Sequence, residues 1–231
     1  MMHHLFYFPV ALPFLAFLIL LLLGVFILIQ IHVLRFAYLS IGLGPRTAMM
    51  VLVASLLGSY INIPVAVLPE QRLLTGQEIE FFGMHYVVPV VVDWPGTVIA
   101  VNVGGALIPT ALSLYLLWYH RIWGLGALAT AIVAAVVHIL ARPVPGIGIA
   151  VPIIVPPLLT AIVALVLSSR RAGPLAYISG SLGTLIGADL LNLGKVQGLG
   201  APIASIGGAG TFDSIFLTGV LAVLLASFRT T

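Results

Sequence analysis

The chain has 231 residues, of which 61% are hydrophobic and 6% charged, and its mean hydropathy is +1.25. A soluble domain carries about a quarter charged residues, so this composition excludes a soluble enzyme, a nucleic-acid-binding module and a disordered chain, and leaves a polytopic integral membrane protein. The formal charge of +3 comes from basic residues that stand singly or in pairs between apolar runs, and the absence of cysteine excludes disulfides, thiolate catalysis and cysteine-ligated metals.

The opening Met1-Met2-His3-His4 lacks the basic region of a secretory signal, and the apolar run behind it carries no acid or base until Arg35. It reads as a retained first helix. A span needs about 20 apolar residues. Seven candidates follow in order: Leu12 to Leu34, Thr47 to Leu68, Thr97 to Trp118, Gly124 to Ala141, Ile149 to Ser168, Leu175 to Leu193 and Pro202 to Phe228. The fifth carries Pro152, Pro156 and Pro157; proline removes a backbone donor, so this span is expected to be bent, broken or partly re-entrant. Trp94, Trp118, Trp123, Tyr119 and Tyr86 fall near span boundaries, as an aromatic belt does.

Between the second and third spans lies the longest connecting segment, Pro69 to Pro95. Glu78-Ile79-Glu80-Phe81 alternates with period two, and His85 to Val92 is rich in β-formers. Gly83-Met84 between them suits a two-residue turn. The segment reads either as a short amphipathic hairpin on the membrane or as an irregular loop with strand propensity. The expected fold is therefore an all-α integral membrane protein, a single domain over 1–231. It has about seven transmembrane helices and a short extramembrane β-hairpin between helices 2 and 3. Arg35, Arg46, Arg121, Arg170, Arg171 and Arg229 fall on one side, against Arg72, Arg142 and Lys195 on the other. The positive-inside rule then sets the amino end outside and the carboxyl end in the cytoplasm of a cell-membrane protein.

In lipid the informative residues are the ionisable ones, each costing about 2.5–3.5 kcal/mol at a helix centre. Asp189 and Asp213 are the acids that fall within predicted spans. Asp189 lies 15 residues beyond Pro174, and Asp213 lies 16 residues before Arg229. At 1.5 Å per residue both stand about 22–24 Å above the inner boundary. Two carboxyls at one depth on consecutive helices meet the requirement of a dyad sharing one proton. The ionised member activates a water and the protonated one polarises a carbonyl, which is peptide hydrolysis without a metal. No metal and no cofactor is expected.

Gly207, Gly208 and Gly210 precede Asp213, and Gly180, Gly183 and Gly187 precede Asp189 at helical spacing. These glycines serve either as helix-packing faces or, for Gly208 and Gly210, as bare backbone against which an extended substrate lies. Asn62, Asn102 and Asn192 are the other polar candidates. Each serves either as interhelical glue or as a lining residue that orients an aspartate or a water, Asn192 being three residues past Asp189 on the same helical face. His32 and His138 read as interfacial.

The segment Gly208-Ala209-Gly210-Thr211-Phe212-Asp213-Ser214-Ile215-Phe216-Leu217 resembles the second motif of the Gly-x-Gly-Asp intramembrane aspartyl proteases, which include presenilins, signal peptide peptidases and prepilin peptidases. Asp189, one helix earlier, matches their first aspartate. The resemblance covers roughly the last 50 residues and implies a polytopic helical enzyme that cuts peptide bonds in or near the membrane. Two extra residues separate Gly210 from Asp213 here, and Ala188 precedes Asp189. The whole chain also resembles an uncharacterised prokaryotic membrane family, through Gly58-Ser59-Tyr60-Ile61-Asn62-Ile63-Pro64, Asn102-Val103-Gly104-Gly105 and the two aspartate segments.

The expected function is that of an intramembrane aspartyl protease acting on membrane-embedded peptides. Asp189 and Asp213 would be catalytic, and Gly208, Gly210, Asn62, Asn102 and Asn192 would line the substrate. The alternatives are a proton- or cation-coupled transporter or channel using the same acids, or a non-catalytic scaffold. The expected partners are the lipid bilayer and transmembrane peptides, with no nucleic acid; the oligomeric state is open.

Overall fold

The computed structural model describes residues 20, 23–24, 27, 31–69, 71–81, 84–94, 96–144, 148–196, 199, 202–208 and 214–227, with backbone alone for 71–94. Helix α1 is described over 31–40 and stops at Gly42, whose φ is +92°. Helix α2, Pro45–Gly58, starts on its proline, where a missing N–H is harmless. The apolar run does not continue as helix. Strand β1, Asn62–Leu68, follows at once, because Pro64 cannot extend a helix and Ile63, Val65 and Val67 are β-branched.

Strands β2, Gln71–Phe81, and β3, Met84–Trp94, pair antiparallel from Gln71 with Trp94 to Phe81 with Met84. Met84, expected in the turn, therefore belongs to the strand, and the other expected turn residue, Gly83, lies outside the described residues. The ladder also runs further than the short hairpin expected. Strand β4, Thr97–Asn102, lies between β1, antiparallel to it, and β7, Ile203–Ile206, parallel to it. Asn62 faces Asn102 across the first pair, and a bulge falls between Pro64 and Ala66.

A π-helical turn, Val103–Leu107, leads into α3, Ile108–His120. Helix α4 is Trp123–Leu140. The small pair β5, Arg142–Val144, and β6, Gly148–Ala150, precedes α5, Val155–Leu167. Pro156 and Pro157 occupy the first turn of α5, so they start that helix instead of kinking it. A continuous helical stretch runs from Ser169 to Val196. It contains α6, Ala172–Thr184, a π-helical turn at Leu185–Asp189, a 3₁₀ turn at Leu190–Asn192 and α7, Leu193–Val196. Helix α8 is Ser214–Ser227.

The chain is mostly helical, and among the described residues two helices, Trp123–Leu140 and Ser169–Val196, are long and apolar enough to cross a membrane. The expected spans Thr47 to Leu68, Thr97 to Trp118, Ile149 to Ser168 and Pro202 to Phe228 instead divide into a strand and a helix of 13 or 14 residues. A run of apolar residues has no period that separates a buried strand from a buried helix, so the sequence conceals this break.

Helix α6 is the axis of the bundle. It touches α3, α4, α5 and α8, and Leu175, Ala176, Tyr177 and Ile178 along it are buried. Gly180 lies against Gly219 of α8, while Gly183 and Gly187 lie against Val133 and Ala134 of α4. These glycines are packing positions: side chains there would meet neighbouring helices. Leu185 shares a buried cluster with Ile215, so α6 and α8 run antiparallel. The outward faces are apolar too, with Met50, Ile139, Ile162 and Val166 each more than half exposed.

The connectivity sorts the ends of the bundle. One end gathers the β1-β4-β7 sheet, with the end of α2 and the starts of α3 and α8. At the other end Ile41 O lies 3.3 Å from His120 Nε2, and Arg171 donates to His120 O at 3.2 Å. That end carries Arg46, Arg121, Arg170 and Arg171.

Candidate functional site

The polar residues predicted at scattered depths separate into two groups. The larger is built on the sheet end. Asn102 closes β4 and is fully buried. Its Oδ1 accepts the Gly105 N–H at 2.8 Å and caps the π-helical turn. Its Nδ2 donates to Ser59 O at 2.8 Å and to Asn62 Oδ1 at 3.1 Å. The hydrogen-bonding groups of a buried amide are costly to leave empty, and Asn102, placed between the end of α2 and the start of α3, satisfies both N–H groups and its carbonyl oxygen with these three bonds. Ser55 Oγ donates to Gly104 O at 2.7 Å, which clamps α2 onto the same turn. A side chain at Gly104 would collide with the backbone of Ser55 and Ser59, so this approach requires glycine.

Asn62 Oδ1 also lies 2.6 Å from Ser205 Oγ, and that hydroxyl lies 2.7 Å from Gly208 O. The single hydroxyl hydrogen serves one of these acceptors at a time. Strand β7 then turns sharply: Gly207 and Gly208 have φ of +87° and +72°. This left-handed pair turns the Gly207 N–H onto Asp189 Oδ2 at 2.8 Å. Asp189 is half-buried and ends the π-helical turn Leu185–Asp189. Insertions of this type re-aim side chains and are frequent at functional sites; here one bears Asp189 and the other follows Asn102. Beneath the network, Ala106, Leu185, Ile206 and Ile215 form a buried apolar floor.

Asn192 belongs to a second group. It is fully buried, and its Nδ2 lies 2.9 Å from Gly187 O, 3.0 Å from Ala188 O and 3.2 Å from His138 Nδ1 of α4. His138, expected at the interface, is thus partly buried and ties α4 to the end of the long helix. The structure brings Asn62, Asn102, Gly208 and Asp189 into one continuous hydrogen-bonded region. Gly210 and Asp213 lie outside the described residues. Sequence reasoning missed Ser205 as the link between Asn62 and the Gly207-Gly208 turn; its signal is a lone hydroxyl two residues before a glycine pair in an apolar run.

Asp189 supplies a carboxylate that a backbone amide already orients, next to a strand whose outer side has no partner strand among the described residues. Such a carboxylate can accept a proton, orient water or meet a cation. Among the described residues no group of three or more His, Asp or Glu comes together to hold a metal ion.

No curated protein and no solved structure matches this chain. A family profile described as "Protein of unknown function (DUF1614)" matches residues 56–225, from the end of α2 into α8, and so takes in the sheet, both π-helical turns and the Asp189 region. The chain belongs to that family, DUF1614.

Proposed function

We propose that this protein is an intramembrane aspartyl protease in which Asp189 and Asp213 form the catalytic dyad. The observation that carries the reading is the seat of Asp189. Its carboxylate is half-buried at the end of a π-helical turn and is fixed by the Gly207 N–H at 2.8 Å. Helix α8 begins one residue after Asp213 and runs antiparallel to α6, with Ile215 packed in the same cluster as Leu185. This supports a shared level for the two acids.

In the proposed reaction the ionised carboxylate takes a proton from water as the water oxygen bonds to the scissile carbonyl carbon. The protonated partner hydrogen-bonds to the carbonyl oxygen. Collapse of the tetrahedral intermediate breaks the C–N bond, and the leaving nitrogen receives a proton from the dyad. The free side of β7 favours an extended substrate, since an added strand gains main-chain hydrogen bonds there. Ser205, Gly207 and Gly208 would then border the scissile bond, with Asn62 and Asn102 holding the wall behind it.

The proposed setting is a multi-pass protein of seven spans. Open sheet edges are not tolerated in hydrocarbon, so the β1-β4-β7 sheet belongs at the membrane boundary, with the β2–β3 pair beyond it. The arginine-bearing end faces the cytoplasm. The amino end is then outside and the carboxyl end inside.

The test is cleavage of a fluorogenic transmembrane peptide by the full chain in liposomes. Asp189→Asn and Asp213→Asn should each abolish cleavage while the protein stays folded. Equal cleavage by either variant and the parent would sink the reading. A pH-gradient-driven ion flux, lost in the same variants and unaccompanied by cleavage, would assign the acids to transport.

A further inference from the structure

The two π-helical turns described above meet at Gly207. Its N–H holds Asp189 Oδ2 at 2.8 Å, at the end of one turn. Its remaining backbone lies on the other turn, Val103–Leu107. A Cβ added at Gly105 would collide with Gly207 O, and one added at Gly207 would stand 2.6 Å from both the N and the Cβ of Ala106. Backbone therefore rests directly on backbone, an approach that needs glycine on both sides.

The seat beneath Gly207 is itself fixed from three sides. Val103 N–H donates to Ile61 O at 3.0 Å. Ser55 Oγ donates to Gly104 O at 2.7 Å, and Gly105 N–H donates to Asn102 Oδ1 at 2.8 Å. Asn102 is held in turn by Ser59 O. The end of α2 and the start of β1 thus immobilise the turn, the turn sets the plane of the Gly207 backbone, and that backbone aims its N–H at Asp189. A side chain that is crowded changes rotamer; here a group added at Gly105 has to displace Gly207 itself.

The geometry points to Gly105 as a positioning residue for Asp189, acting through Gly207. The assignment rests on the reading of Asp189 as a catalytic carboxylate. Gly105 acts on the backbone that orients the carboxylate, and the reacting atoms are left to Asp189. Relief of the collision moves Gly207 by about 1 Å, and a misplacement of that size costs about a hundredfold in rate.

The experiment compares variants of the full chain in liposomes by two readouts: deuterium exchange of the Gly207 amide, and kcat and KM for the fluorogenic transmembrane peptide. Gly105→Ala should speed exchange of that amide about tenfold, the worth of a hydrogen bond to a charged group. It should lower kcat about a hundredfold with KM nearly unchanged. Ala106→Gly removes the methyl that borders Gly207 and adds no clash, so it folds and keeps the comparison open where Gly105→Ala does not fold; it should move both readouts the same way by a smaller factor. Gly126→Ala crowds Leu117 near the opposite end of the bundle. It should lower the unfolding midpoint and leave both readouts at the parent's values. Parent-like exchange and kcat in Gly105→Ala and Ala106→Gly would overturn the assignment, and so would equal effects in Gly126→Ala. A parent that cleaves nothing would sink the protease reading, and the exchange rates would still decide whether Gly105 sets the contact to Asp189.

Discussion

The Asp189 carboxylate and the Gly207 amide, 18 residues apart in sequence, meet at 2.8 Å. The contact joins the end of the long helix to the end of β7, and it depends on the left-handed turn at Gly207 and Gly208. Asp189 therefore has a structural task beside its proposed chemical one, and the two separate by substitution. Asp189→Asn retains an oxygen to accept the amide and should cost under about 1 kcal/mol, whereas Asp189→Ala leaves that amide unpartnered and should cost about 1–3 kcal/mol. Thermal unfolding in detergent measures the difference; equal midpoints for the two variants would contradict it.

Asn102 is the most connected polar side chain of the sheet end. Asn102→Ala strands the Gly105 N–H, takes the side-chain donor from Ser59 O and leaves Asn62 Oδ1 with Ser205 Oγ alone, and should destabilise by about 2–4 kcal/mol. Asn102→Asp keeps the acceptor for Gly105, loses both donors and buries a charge, so it should do no better. Denaturant titration of the two variants checks the order.

The glycines of the long helix divide by what faces them. A Cβ at Gly187 would crowd Ala134 and lie 3.0 Å from Val137 Cβ, whereas nothing lies within 4 Å of one at Gly194. Gly187→Ala should therefore cost about 1–3 kcal/mol by overpacking, and Gly194→Ala should gain about 0.5–1 kcal/mol from helix propensity. Opposite shifts in unfolding midpoint are the expected result.

Asn192 and His138 supply a test of the second polar group. Their contact of 3.2 Å links α4 to the end of the long helix. A double-mutant cycle with Asn192→Ala and His138→Ala should give a coupling near 0.6 kcal/mol, the average for such pairs within membrane proteins. Strict additivity would show that the contact carries no energy of its own.

Arg121→Gly should raise stability by about 1 kcal/mol, because glycine occupies the left-handed region without the Cβ penalty that arginine incurs at φ +51°. A lowered unfolding midpoint would mean that the guanidinium makes a structural contact that outweighs the strain.

The sequence discloses Asp189, Asn102 and the outline of α4 for one physical reason: polar atoms and helix length are conspicuous against an apolar background. It hides the strands for the complementary reason. Ile63-Pro64-Val65-Ala66-Val67 and Thr97-Val98-Ile99-Ala100-Val101 are as apolar as their adjoining helices, so hydropathy merges each pair into one span. Pro64 and the β-branched residues were the available cue. The partnership of Asn192 with His138 crosses between α4 and the long helix, and helical spacing within one segment cannot register it. Gly207 and Gly208 read from sequence as a helix-packing face or as bare backbone for a substrate; the left-handed turn they make, which aims an amide at Asp189, emerges with the β4–β7 pairing.

That parallel pairing joins Val98 to Ile203, so almost half the polypeptide must be synthesised between the two strands. Until the ribosome has delivered β7, one edge of β4 stands open, Asn62 lacks Ser205, and Asp189 has no glycine turn to hold it. Closure is consequently a late event in biogenesis. A nascent or prematurely terminated product would form its early helices without assembling the Asp189 contact.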